Sequence, residues 1–279
     1  MIFSRKIKEM FDNYCKFLEK FDIVDREKIK KFNDNKPNFV VYGGNFPTKE
    51  EKKVSALFQP ENNTIFLNAE YLVWLSFFFE ENSPYLPAEK SFPIIMSYYV
   101  GEESSHALIN FLHPKLLIRT QKFMKKWGRK EYTPEEVSKM EFLLAKDEAL
   151  ARSIAKNYSA NVYGTSAESL VKRMYELEAL DWMEELSVEE VEEHFDEIME
   201  KSKIPFRWVG IYSKELEYTL DETRKLLKIG LEKIINPREK KLYQAIKEEN
   251  RSIRELTKKF FEFITLAKDL NYENFHDRP

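Results

Sequence analysis

The stretch SFPIIMSYYVGEESSHALINFLH, residues 91–113, is the segment from which the rest of the chain is best interpreted. It predicts one helix, entered through Pro93 and stopped by Pro114. At 100° per residue, one face of this helix carries a carboxylate and an imidazole one turn apart within an apolar stripe. The residues on that face are Ile95, Tyr99, Glu102, His106, Ile109 and His113. Because buried polar groups need partners, this face is a candidate site.

The segment EESSH, residues 102–106, has the layout of a helical metal site. Glu102 and His106 are separated by one turn and can both act as ligands, while Glu103 lies beside them for acid/base work. His113 lies on the same face but about 10 Å farther along the axis, too far to share one metal ion. We expect His113 to interact instead with the carbonyl end of the helix.

A second helix is predicted from the capping box TPEE at residues 133–136. Its apolar face carries acids, which need a cation, a proton or a metal ion if they are buried. These acids are Glu141 and Glu148, with Asp147 close by. Any of them can be a third ligand, and a plain buried salt bridge, for example to Arg152, is the alternative.

Bulk properties exclude several classes of protein. The 279 residues are 43% hydrophobic and have a net charge of −3, which predicts a globular core and no nucleic-acid partner. The single cysteine, Cys15, excludes a disulfide framework and indicates a reducing cytosol. No signal peptide is visible, and the longest apolar run, residues 71–79, is far shorter than the roughly 20 residues of a membrane span. We therefore expect a soluble cytoplasmic protein with no membrane partner, and a composition that suits a heat-adapted organism.

The periodicity of the remaining chain predicts an α+β fold that is mostly helical. Helices are expected at 3–21, 25–32, 69–81 and from 166 onward, including 213–235, and strands at 39–42, 54–58 and 64–68. Turn residues between the last two strands predict a hairpin. We divide the chain into N-terminal helices at 1–36, a metal-site domain at 37–160 and a helical C-terminal domain at 161–279.

Three features in sequence resemble the catalytic core of gluzincin-type zinc metallopeptidases. They are the strand TIFLN at 64–68, a helix with ExxHAL, and a capped helix with ExxA at 148–151. That family has HExxH on one helix, a third ligand Glu on a following helix, and a zinc-activated water that attacks the peptide carbonyl. The resemblance implies a zincin-like core over roughly residues 39–160, in which a small sheet precedes an active-site helix and a ligand helix. By position it implies His106 and Glu148 as ligands and Glu103 as general base.

Glu102 stands where the first histidine of that motif would be. A set of two carboxylates and one imidazole is harder and more anionic than His-His-Glu, so it reduces the Lewis acidity of the metal. The expected cofactor is zinc, with manganese or iron as alternatives, or no metal if the site is degenerate.

Three functions fit these observations. The leading hypothesis is a metal-dependent hydrolase that cleaves peptides or proteins, with Glu103 as general base and Glu102, His106 and Glu148 as ligands. The second is a catalytically inactive zincin-like scaffold whose C-terminal helices bind a protein partner or self-associate. The third is a ferritin-like di-iron carboxylate protein, which needs a second ExxH motif. The other ExxH in the chain, at 273–276, lies close to the C-terminus.

Overall fold

The computed structural model describes residues 2–43, 55–82, 86–116, 134–184 and 219–231, excluding the side chains of residues 2–4, 82, 134–145 and 175–184. The chain divides into two compact units. The first, which we call unit 1, comprises Met1–Arg173 and Leu216–Ile234, and the second comprises Met174–Glu215 and Ile235–Pro279. The candidate site lies within unit 1.

The described elements are mostly helical. The helices are α1 Ile2–Lys20, α2 Arg26–Asp34, α3 Ala69–Asn82, α4 Ala88–Leu112, α5 Pro134–Tyr163, α6 Thr165–Glu184 and α7 Leu220–Ile229. The strands are β1 Asn38–Tyr42, β2 Ala56–Gln59 and β3 Thr64–Asn68. A mostly helical α+β fold with a small sheet is therefore confirmed. Among the helices within the described ranges, none combines the length and apolar composition needed to cross a bilayer.

The three strands form one mixed sheet with β3 in the middle. β3 pairs parallel with β1 and antiparallel with β2, so the predicted hairpin is confirmed. In the antiparallel pair, Phe58 lies opposite Ile65 and Gln59 lies opposite Thr64. Because β3 is central, Ile65 and Leu67 are fully buried. Strand β2 is at the edge of the sheet and contacts α4.

Helix α4 begins earlier than the sequence predicted. Its first residue is Ala88, its C-cap is His113, and Pro93 lies inside the helix rather than at its entrance. Pro93 has no N–H to donate to the carbonyl of Glu89, so the helix loses one hydrogen bond, close to its N-terminal end. The helix therefore tolerates Pro93 within its second turn, and the predicted start at residue 91 was wrong by about one turn.

Helix α5 packs against α4, and this is the most extensive contact between any two of the described elements. The close approach depends on Gly101, because a Cβ added there would lie 2.8 Å from Tyr158 Cδ1 and 3.3 Å from Ala155 Cα. Small residues on the facing side of α5, Ala151 and Ala155, are fully buried. This contact brings the acidic part of α4 against the acidic part of α5.

Within the described residues, the helix predicted at 213–235 covers only Leu220–Ile229, which is α7. α7 begins after Thr219, whose side chain and that of Glu222 form a capping box. It ends at Gly230, which has φ of 87°, a left-handed conformation that glycine adopts without steric cost. Residues 213–218 and 232–235 lie outside the described residues.

Hydrogen bonds join α7 and the residue that follows Gly230 to the rest of unit 1. Arg224 donates hydrogen bonds to the carbonyl oxygens of Phe21 and Asp22. At the other end of α7, the amine of Lys146 donates to the Leu231 carbonyl oxygen at 2.7 Å. Residues 219–231 thus return from a distant part of the sequence to complete unit 1.

Candidate metal centre

The acidic part of α4 faces the protein interior. Glu102 and Glu103 are both buried, and His106, one turn beyond Glu102, is largely buried. The one-turn spacing directs Glu102 and His106 to the same side of α4. α5 supplies Glu148 to this side, and the glycine contact between the helices allows the side chains to meet.

Glu102, His106 and Glu148 form a group whose ligand atoms all lie within 4.8 Å of one another. The structure thus brings together the three residues that were predicted as ligands. Two carboxylate oxygens and one imidazole nitrogen are donors that zinc, manganese and iron accept in proteins. The chemistry of this donor set therefore fits a divalent metal ion.

His106 is held at both ring nitrogens. Nδ1 lies 3.2 Å from Asp147 Oδ2, and Nε2 lies 3.3 Å from Glu148 Oε2. Burial alone would lower the pKa of His106, but the carboxylates of Asp147 and Glu148 raise this pKa well above its ordinary value. Asp147 therefore orients the imidazole through Nδ1, as second-layer carboxylates do at metal centres, and Nε2 is the nitrogen available to an ion.

The second carboxylate oxygen of Asp147 does not hydrogen-bond to the imidazole. Asp147 Oδ1 is buried and has no hydrogen-bond partner among the described residues. A buried carboxylate oxygen without a donor is costly, so we expect an ordered water molecule here.

Arg152 supplies the positive charge between the two helices. Its Nε lies 2.7 Å from Glu102 Oε1 and 2.8 Å from Glu148 Oε1. Burial raises the pKa of Glu148, but the charges and hydrogen bonds of Arg152 and His106 outweigh burial and lower this pKa to about 2. Glu148 is therefore ionised at neutral pH and is shared by two cationic groups.

Glu103 has a different environment from its neighbours. It is 7% exposed, and its carboxylate accepts a hydrogen bond from the backbone N–H of Phe58 in β2. Burial, together with the negative charge of Glu148, raises the pKa of Glu103 to about 7. A carboxyl group with this pKa can both take up and release a proton near neutral pH, which is the property of a general acid/base.

Several other residues with predicted roles do not join this cluster. His113 caps α4, and its Nε2 donates to the carbonyl oxygen of Leu227 in α7 at 3.1 Å. The side chain of Glu141 lies outside the described residues. So does the ExxH motif at 273–276, which the di-iron hypothesis needs.

Two features of the site were missed by the sequence analysis. Asp147 was considered as a third ligand, whereas it contacts the imidazole. Arg152 was considered as a partner of the acids on its own helix, and its i, i+4 spacing to Glu148 does indicate that ion pair. The contact of Arg152 with Glu102 joins two helices, and no local sequence pattern indicates it. Comparisons of the chain with protein-family models, curated proteins and solved structures found no match.

Proposed function

We propose that the protein is a metal-dependent hydrolase that cleaves peptides. The observation that carries the proposal is the convergence of Glu102, His106 and Glu148, with their ligand atoms within 4.8 Å, beside a buried carboxyl group that titrates near neutral pH. Peptides are proposed as substrates because the ExxH helix followed by a ligand helix resembles the metallopeptidase arrangement.

Each residue of the cluster has a role in this proposal. Glu102, His106 Nε2 and Glu148 hold the metal ion, and Asp147 keeps the imidazole oriented. When bound, the metal ion supplies Lewis acidity that polarises a carbonyl group and lowers the pKa of water. Glu103 accepts a proton from the attacking water and returns it to the leaving amine, and its pKa of about 7 suits both steps.

The proposed metal is zinc, or one of the harder ions manganese and iron. Two carboxylates and a single imidazole provide more oxygen than nitrogen donors, a set that favours harder ions than a His-rich site does. Metal binding also requires that His106 release the proton on Nε2, so we expect affinity to weaken as pH falls.

A second candidate function is supported by the Arg152 contacts. Arg152 forms ion pairs with both Glu102 and Glu148 without any metal, and His106 contacts a carboxylate at each ring nitrogen. Such a cluster can join α4 and α5 as a structural ion-pair network in a protein that has no hydrolase activity. The chain would then act through protein partners or self-association of its C-terminal helices.

Elemental analysis and peptide cleavage distinguish the two functions. We expect the purified protein to contain about one equivalent of zinc, manganese or iron, which His106→Ala loses. His113→Gln is the matched control, because it removes the histidine at the C-cap of α4, which is not part of the cluster.

Glu103→Gln tests the proposed base. It should retain the metal and lose a factor of roughly 10²–10⁴ in peptide hydrolysis, the usual contribution of a general base. Unchanged hydrolysis in this variant would refute the role of Glu103. A wild-type protein that takes up none of the three metals would favour the structural network instead.

A further inference from the structure

We propose that Arg152 is a built-in cation that competes with the metal ion for Glu102 and Glu148, so that metal loading requires the guanidinium group to leave these two carboxylates. This inference rests on the metal site of the proposed function. It adds a regulatory step, because the protein would exchange between an arginine-paired state and a metal-loaded state.

The position of Arg152 supports competition. Its Nε, which carries one hydrogen, lies 2.7 Å from Glu102 Oε1 and 2.8 Å from Glu148 Oε1. The Nε–H of Arg152 lies between two carboxylates that belong to different helices. Arg152 therefore lies between the same two side chains that a bridging metal ion would use.

The charges of the cluster lead to the same conclusion. Arg152 compensates two acids that are largely buried, and buried ions are stabilised by such pairs only while both members stay in contact. A divalent cation that binds Glu102 and Glu148 would lie close to the positive guanidinium group and repel it in a site of low dielectric. Glu102 and Glu148 can bind either the guanidinium group or a metal ion, and binding of one of these cations weakens binding of the other.

The cluster also allows the exchange. The side chains of Arg152, Glu148 and His106 are 10%, 14% and 14% exposed, so this side of the cluster is in contact with solvent. Arg152 and Glu148 are one turn apart on the same helix. The guanidinium group can therefore leave both carboxylates, Glu102 on α4 and Glu148 on α5, through rotation of the Arg152 side chain and without movement of α5.

The decisive measurement is metal affinity by isothermal titration with Mn²⁺ and, separately, with Zn²⁺. Arg152→Gln removes the competing charge, and we expect it to bind metal at least tenfold more tightly than the wild type. Arg152→Lys is the matched control, because it keeps a cation at this position and should bind metal no more than a few-fold more tightly. Adding His106→Ala to Arg152→Gln should abolish binding, which assigns the ion to this cluster.

The outcomes separate this inference from the proposed function. If the wild type binds metal and Arg152→Gln binds it equally or more weakly, Arg152 supports the ligands instead and competition is refuted. If only Arg152→Gln binds metal, competition is supported, and the wild-type protein is the metal-free network. If neither protein binds metal, both proposals are wrong.

A measurement on the wild type covers the case in which Arg152→Gln does not fold. The Nε–H of Arg152 gives an arginine side-chain NMR signal, which is assigned by its loss in Arg152→Lys. Titration of wild-type protein with Zn²⁺, which is diamagnetic, should shift this signal toward the position of solvated arginine. A signal that keeps its position while Zn²⁺ binds would overturn the inference.

Discussion

At the residue scale, Glu103 and Glu148 show how neighbouring carboxyl groups acquire opposite properties. Burial raises the pKa of Glu103 to about 7, whereas Arg152 and His106 more than offset burial at Glu148 and lower its pKa to about 2. The difference arises from partners, because the hydrogen bonds and charges of Arg152 and His106 outweigh burial at Glu148, whereas at Glu103 burial and the negative charge of Glu148 prevail. One group is thus poised to exchange protons and the other to bind a cation.

The raised pKa of Glu103 predicts a pH-dependent stability. Between its ordinary pKa of 4.5 and about 7, the folded protein keeps a proton that the unfolded chain has lost, so the unfolding free energy falls as pH rises through this window. Glu103→Gln cannot ionise and should lack this fall. At pH 8 we expect the variant to be more stable than the wild type by about 1–3 kcal/mol, and below pH 4.5 nearly equal.

Urea denaturation of metal-free protein at several pH values measures this difference. Glu148→Gln is the contrasting variant, because a lowered pKa contributes stability above pH 4.5 that is lost only as pH falls toward 2. It should therefore be less stable than the wild type at pH 8. If Glu103→Gln were also less stable at pH 8, the environment assigned to Glu103 would be incorrect.

The three residues of the candidate metal site could be predicted from the sequence, but their partners could not. Helical spacing alone places Glu102 and His106 on one face, and acids in the apolar stripe of the next helix point to Glu141 or Glu148, of which the ExxA resemblance selects Glu148. The contacts of Asp147 with His106 and of Arg152 with Glu102 depend on how α5 is rotated and shifted against α4. A pattern within one helix contains no information about that alignment.

At the element scale, the site depends on how closely α4 and α5 approach. Gly101→Ala adds a methyl group that would lie 2.8 Å from Tyr158 Cδ1 and 3.3 Å from the backbone of Ala155, so the helices must separate. Overpacking of this kind costs about 1–3 kcal/mol. The higher helix propensity of alanine relative to glycine returns only about 1 kcal/mol. We predict a lower unfolding free energy, measured by urea denaturation, and weaker metal binding.

Gly43→Ala is the control for this prediction. Gly43 directly follows β1, and none of the described residues lies within 4 Å of an added Cβ, so the change should alter stability by less than about 0.5 kcal/mol. Equal stability of Gly101→Ala and the wild type would show that α4 and α5 tolerate a larger separation than the contact implies.

Most described elements could be predicted because their signals are local. The hairpin of β2 and β3, the first two helices and the start of α5 at Pro134 each follow from a few adjacent residues. The errors have local explanations too. Pro93 was given the entrance of α4, although Pro87 is the N-cap, and the stop signal at Gly230 was overlooked.

At the scale of the whole molecule, the core of unit 1 includes residues from distant parts of the chain. Leu226, Leu227 and Leu231 are buried although they follow the α5 residues of the site by many positions in sequence. We predict that Leu227→Ala lowers the unfolding free energy of unit 1 by about 2–4 kcal/mol, because it leaves a cavity between α7 and its neighbours.

Ile229→Ala is the matched control on the same helix. Ile229 is 54% exposed, whereas Leu227 is 3% exposed, so its removal should cost less than about 1 kcal/mol. Native-state hydrogen exchange of the α4 and α5 amides reports the stability of unit 1 in both variants. Equal protection of these amides in Leu227→Ala and the wild type would mean that α7 is not a cooperative part of unit 1.

The overall class of the fold was predictable, but the joining of α7 to unit 1 was not. Apolar periodicity shows which face of α7 is buried, yet it does not show which helix covers that face. The contacts that decide it are the hydrogen bonds of Arg224 and Lys146 to backbone carbonyls, which any segment of the chain can provide. The zincin-like core stays a prediction.

The return of residues 219–231 to unit 1 also affects the protein while it is being made. A ribosome adds about 5–20 residues per second, so about 3–12 seconds separate the synthesis of residue 173 from that of residue 231. During this interval the nascent chain carries the apolar surface that α7 later covers. Chaperones that recognise such surfaces can bind the growing chain until α7 emerges, and α4 and α5, which carry the candidate metal site, then become part of a complete core.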